Sequence, residues 1–214
     1  MPSESMPRRT EILRRNWRFC RQDPLDAADP DFDDSAWSGV TVPHDWAVAG
    51  PFDPEHDTQE LAIWEDGEKK PSTHVGRTGA LPHVGVAWYR RQLEIPADAA
   101  GKHFRLEFDG VMSHSKVYVN GIAVGSWPFG YASFAFDVTA AITAGAANTI
   151  AVRVDNKPGA SRWYPGAGIF RHVRLVTLNP VHIDHWGINI TTPDIMDAAA
   201  TVRVRTTVVG SGAE

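Results

Sequence analysis

One cysteine in 214 residues, Cys20, rules out an intramolecular disulfide framework. It sits in Trp17-Arg-Phe-Cys20, a strand-like stretch in which a lone thiol reads as a small core residue rather than a nucleophile. No run of about 20 apolar residues is present, so no membrane-spanning helix is expected. Met1 to Arg15 is polar and charged without an apolar h-region, which predicts no export signal and favours a cytoplasmic compartment. Basic residues are outnumbered, 21 Lys and Arg against 26 Asp and Glu for a formal charge of -5, and they form no stripe; a nucleic-acid partner is not expected, and neither is a membrane one. Metal ligands are scattered: the nine histidines cluster with no second cysteine, and His182 and His185, three apart, are predicted to point to opposite faces of a strand. Helical periodicity is nearly absent, with room for one or two turns at Thr139–Ala144. Gly166 and Gly168 precede no helix, so they are not a phosphate loop. No metal and no cofactor is expected.

What is present is β-structure. Hydrophobic residues make 43% of the chain, enough for a packed core. Phe104, Leu106 and Phe108 alternate with Arg105, Glu107 and Asp109, and Ile150, Val152 and Val154 with Ala151, Arg153 and Asp155, the period of a half-buried strand. Asn16–Gln22, Val40–Val42, Val86–Ile95, Val117–Val119, Ile122–Val124 and Phe134–Phe136 add further strands, and Asn120-Gly121 predicts a type I′ hairpin. About eight strands at roughly ten-residue spacing indicate an antiparallel sandwich or jelly roll. Residues 1–11 read as a disordered tail, residues 12–179 as the sandwich, and Asn179-Pro180 as a joint. Beyond it Val181–Ile190 and Thr201–Val209 look like two strands that cannot bury a core alone, the start of a second β-domain. Asp23–Asp34, dense in aspartate, reads as an irregular acidic loop, and Pro51–Val86 as a long excursion with mobility at Glu65–Ser72.

The stretch Ser161-Arg-Trp-Tyr-Pro-Gly-Ala-Gly-Ile-Phe-Arg-His-Val-Arg-Leu175 changes character halfway. Its first half, with two aromatics, a proline and two glycines, fits neither helix nor strand; from Ile169 onward it alternates as a strand. A rigid sheet presents side chains from such a loop, which makes it the first candidate site.

Eight short motifs in order, Asn16-Trp-Arg-Phe19, Asp33-Asp-Ser-Ala-Trp37, Val42-Pro-His-Asp-Trp46, Ala87-Trp-Tyr-Arg-Arg91, Phe108-Asp-Gly-Val111, Val117-Tyr-Val-Asn-Gly121, Gly130-Tyr-Ala-Ser-Phe134 and Arg162–Arg171, resemble the N-terminal sugar-binding domain of glycoside hydrolase family 2, in its β-galactosidase-like branch. The resemblance implies a galactose-binding-like jelly roll, an immunoglobulin-like sandwich beginning at residue 180, and then a TIM barrel carrying two catalytic glutamates. Retaining hydrolysis needs carboxyl groups about 5 Å apart. Both are expected outside this chain, so no catalytic residue is assigned and the fragment alone is expected to be inactive. The jelly roll lends a loop to the sugar pocket. By the resemblance Arg162 contacts the innermost sugar, with forked hydrogen bonds to hydroxyls; the competing reading has it fasten the loop to a carboxylate. Asp45 either accepts sugar hydroxyls or caps a turn. Trp163 and Tyr164 either stack on a sugar or pin the loop. The implied partner is a carbohydrate, with β-galactosides ahead of glucuronides and mannosides. A free-standing carbohydrate-binding module is the alternative, and an adhesive sandwich a third.

Overall fold

A computed structural model describes residues 7–56, 78–158 and 164–210. Two antiparallel sheets pack face to face. The smaller has the order β1 (Arg8–Ile12), β10 (Val173–Leu178), β5 (His103–Phe108), β8 (Phe134–Asp137); the larger runs β3 (Ser38–Val40), β2 (Trp17–Cys20), β4 (Gly85–Ile95), β9 (Ala146–Asn156), β6 (Ser115–Val119), β7 (Ile122–Trp127). This is the all-β jelly-roll sandwich that the alternating pattern predicts. Inward residues of both sheets, among them Tyr89, Leu106, Phe108, Val117, Ile150, Val152 and Leu175, form one core. Asn120 and Gly121, at φ 50° and 78°, make the tight turn that joins β6 to β7.

The middle of the larger sheet is buried on both faces. On β4, Ala87 and Tyr89 point into the core, while Trp88 and Arg90 point outward beneath the acidic loop, where Ala27, Trp37 and Ala151 form a second cluster. Arg90 organises that loop. Its Nε donates to Asp34 at 2.9 Å, and its two terminal nitrogens donate to the carbonyls of Ala27, Asp29, Pro30 and Phe32 at 2.6–3.3 Å. A segment without internal repeat is thereby ordered around one buried guanidinium whose five donors are all used.

Four expectations need correction. Residues 1–11 are not all tail: Arg8–Ile12 is an edge strand paired with β10, invisible in the sequence because almost all of it is exposed and nothing alternates. The strand expected over Val40–Val42 lies at Ser38–Val40, because the Val42 amide turns away to Arg14. The strand expected from Ile169 begins at Val173, because the Ile169 carbonyl is taken by the His44 amide across the loop. His182 and His185 do not point apart. A register shift between Ile183 and Ile188, with Trp186 at φ 52°, brings both to β5: the His182 ring lies 4.5 Å from that of His103, and His185 Nδ1 is 3.3 Å from Glu107. The mobility expected for Glu65–Ser72 concerns a segment outside the described residues.

After the sandwich, β11 (His182–Met196) and β12 (Ala199–Val209) pair, among the described residues, only with each other. Ile188, Ile190, Val202 and Val204, which share one face of this hairpin, are exposed.

Candidate functional site

The loop from Tyr164 to Phe170 is fastened from three directions. The 44–46 segment runs antiparallel to it, His44 N–H donating to Ile169 O at 2.8 Å and Trp46 N–H to Ala167 O at 3.1 Å. From the other side Met112 and Gly168 exchange two backbone bonds of 2.9 Å. From β9, Asn156 Nδ2 donates to Gly166 O at 3.1 Å and to His83 O at 2.9 Å. Both glycines are required where they stand. Gly168 has φ +104°, and a Cβ there would come within 2.1 Å of the Tyr89 hydroxyl; Gly166 has φ +79° beside the Asp45 carboxylate.

Asp45 is central to this arrangement. One carboxylate oxygen accepts the Ala47 N–H at 3.0 Å and the other accepts the Tyr164 hydroxyl in a short bond. Burial, with the bond to Asp45 adding to it, raises the Tyr164 pKa, so the phenol keeps its proton and remains a donor. The turn-capping role considered for Asp45 is therefore present, and so is the pinning role considered for Tyr164. Asp45 is only half-buried, and each of its oxygens retains a second lone pair. Arg162 and Trp163, the other two predicted contacts, lie outside the described residues; the structure brings Asp45 and Tyr164 together at the base of the segment that carries them.

Beneath the loop His44, Phe19, Trp46 and Tyr89 form an aromatic floor. His44 Nδ1 and the Tyr89 hydroxyl share a 2.9 Å hydrogen bond, and the His44 and Phe19 rings meet edge to face at 4.6 Å. Burial lowers the His44 pKa against the opposing pull of Asp45, which favours the neutral ring. His83 joins the floor, edge-on to Tyr164 at 6.1 Å, with Trp46 Nε1 donating to Pro82 O at 3.1 Å beside it. Sequence reasoning passed over Tyr89 and His83. Tyr89 sits in a strand motif that reads as core, and His83 in a segment with no period at all.

The other end of the sandwich holds a cleft of about 290 Å³ between Glu94, Lys102, Phe104 and Leu178, and none of these loop residues lines it. Among the described residues no group of three or more His, Cys, Asp or Glu is placed to hold a metal ion.

The sequence model for the sugar-binding domain of glycosyl hydrolases family 2 matches residues 11–180. The chain belongs to glycoside hydrolase family 2. It is similar to a β-galactosidase of Bacteroides ovatus, 40% identical over 204 residues that make up 95% of this chain and 22% of that protein. A β-glucuronidase of Formosa agariphila is 28% identical over 98% of this chain and 22% of its own length. Among solved structures, a β-glycosidase from Bacteroides vulgatus superposes with a TM-score of 0.77 at 30% identity, covering 96% of this chain and 25% of that one. The chain thus spans a fifth to a quarter of the relatives it matches, and corresponds to their N-terminal sugar-binding domain. In this family-2 domain two of the eight sequence motifs, Val42–Trp46 and Arg162–Arg171, meet through the Asp45–Tyr164 bond.

Proposed function

We propose that this chain is the sugar-binding domain of a retaining β-glycosidase and helps to build a sugar pocket completed by a catalytic barrel outside these residues. The observation that carries the reading is the Asp45–Tyr164 clamp: it gives a fixed base to the segment containing Arg162 and Trp163, within a domain whose residues 11–180 match the family's sugar-binding unit. A fixed base matters because a hydroxyl contact misplaced by 1 Å loses most of its worth. In this reading Arg162 donates forked hydrogen bonds to the innermost sugar, Trp163 stacks on it, and Asp45 accepts through its remaining lone pairs. The similarity to a β-galactosidase at 40% identity supports a β-galactoside as the substrate, with β-glucuronides the nearest competitor. Residues 180–214 begin an immunoglobulin-like sandwich whose further strands cover the apolar face of the β11–β12 hairpin.

The test is hydrolysis by the protein encoded by the complete reading frame. It should cleave p-nitrophenyl β-galactoside, and Arg162→Ala should raise KM about tenfold or more while leaving the thermal midpoint unchanged. A folded complete protein that cleaves no β-glycoside, or an Arg162→Ala variant with unchanged kinetics, would overturn it.

A further inference from the structure

A cleft of about 200 Å³ opens beside the clamp, where the end of β2 meets the residues leading into β4. Arg21, His56, His83 and Glu55 are among the residues that line it. Among the described residues two contacts hold the guanidinium: Nη2 donates to Val84 O at 3.4 Å, and its carbon lies 5.6 Å from the centre of the Trp46 ring. Val84 O takes one of the two Nη2 protons and the ring contact takes none, so one two-nitrogen edge of the group stays available to a carboxylate. Partial burial lowers the Arg21 pKa, the mark of a cation that gains from an anionic partner, although the guanidinium stays charged at any working pH.

The imidazoles offer complementary groups. His83 is buried, and its Nδ1 meets Leu81 O at 2.9 Å. A carbonyl only accepts, so Nδ1 carries the proton and Nε2 is left as an acceptor for a hydroxyl. His56 Nδ1 is buried with no hydrogen-bond partner among the described residues. The cleft is continuous with the clamp. His83 packs on Tyr164, Trp46 anchors Pro82, and Asn156 ties His83 and Gly166 to one side chain.

We propose that this cleft binds the carboxylate of an acidic sugar unit in the substrate, a uronic acid, through the fork of Arg21, with His83 or His56 meeting an adjacent hydroxyl. The proposal rests on the sugar-binding reading above for the nature of the ligand, and it places a charge preference on a sugar unit other than the innermost one, to which a galactoside or glucuronide assignment refers. Among the described residues Glu55 is the one carboxylate lining the cleft.

The test is an NMR titration of the 214-residue chain with D-galacturonate against D-galactose, D-glucuronate against D-glucose, and sodium acetate as a bare carboxylate. In at least one pair the acid should bind with Kd in the range of about 1–10 mM and about tenfold more tightly than its neutral counterpart, shifting Arg21, Val84 and His83. Arg21→Gln should lose that tenfold, and Arg21→Lys, which keeps the charge without the fork, should fall between. Arg21 is exposed, so thermal midpoints should not move. Equal binding of acid and neutral sugar overturns the charge preference and leaves the domain a sugar binder. Acetate binding as tightly as the uronates shows an anion site without sugar recognition and also overturns the proposal. No shift at Arg21 with any probe up to about 50 mM overturns it too, while the hydrolysis assay still decides the wider reading.

Discussion

Strands β4 and β12 are both 11 residues long and both alternate apolar with polar residues over part of their length, yet β4 is largely buried and β12 is exposed throughout. Val202 and Val204, set between Thr201, Arg203 and Arg205, write the same pattern as Ile150, Val152 and Val154 on β9, whose three side chains are fully buried. Alternation therefore fixes which face of a strand is apolar and says nothing of what covers it. In the sandwich the cover is an opposing sheet inside and the acidic loop outside. The hairpin lacks both among the described residues, and its contact with the sandwich is a polar one, through His182 and His185.

The largest effect should come from removing the outer cover of β4. Arg90→Met leaves Asp34 and four carbonyls without their shared donor, and should cost about 3–5 kcal/mol, read as a lower urea midpoint and early proteolysis within residues 23–34. A loss below about 1 kcal/mol would mean the acidic loop holds itself. Next in size is a matched pair of truncations. Ile150→Ala in the core should cost about 2–5 kcal/mol, whereas Ile190→Ala on the hairpin, 63% exposed, should change the same midpoint by less than about 0.5 kcal/mol. Equal costs would show that the hairpin face is already covered.

The joint between the two regions should give the smallest effect, and a pH-dependent one. Burial lowers the pKa of His103, against Asp137 and Asp184 and with His182 and Arg105; burial also lowers that of His185, with Arg105 and Arg8 and against Glu107 and Asp184. The folded chain then binds fewer protons than the unfolded one, so stability is complete above the unfolded value of about 6.5 and is lost as pH falls from there toward the folded values. Urea midpoints taken from pH 7.5 down to about 5 should fall, and His103→Gln should flatten the slope. A midpoint that rises on acidification would mean that the His185–Glu107 ion pair outweighs burial.

Much of the sandwich was legible because its strands alternate and its hairpin turn carries Asn120-Gly121. β1 was not, since an edge strand with nearly all residues exposed has no hydrophobic period to read. The facing of His182 and His185 was hidden by a bulge, a register event set by backbone pairing rather than by spacing. At the site, Asp45 and Tyr164 were each readable as a candidate, but their bond joins residues 119 apart in sequence, and no local pattern records it. Arg21 was silent for the same reason: it becomes a cleft residue only when Val84 and Trp46 are folded against it.

Native-state hydrogen exchange on the 214-residue chain tests the division between sandwich and hairpin most directly. Amides of β4 and β9, paired along all 11 residues of each, should exchange only through global unfolding, while those of β12 beyond its base should exchange orders of magnitude faster. Protection of β12 equal to that of β9 would contradict the division, and would make the hairpin part of one cooperative unit with the sandwich.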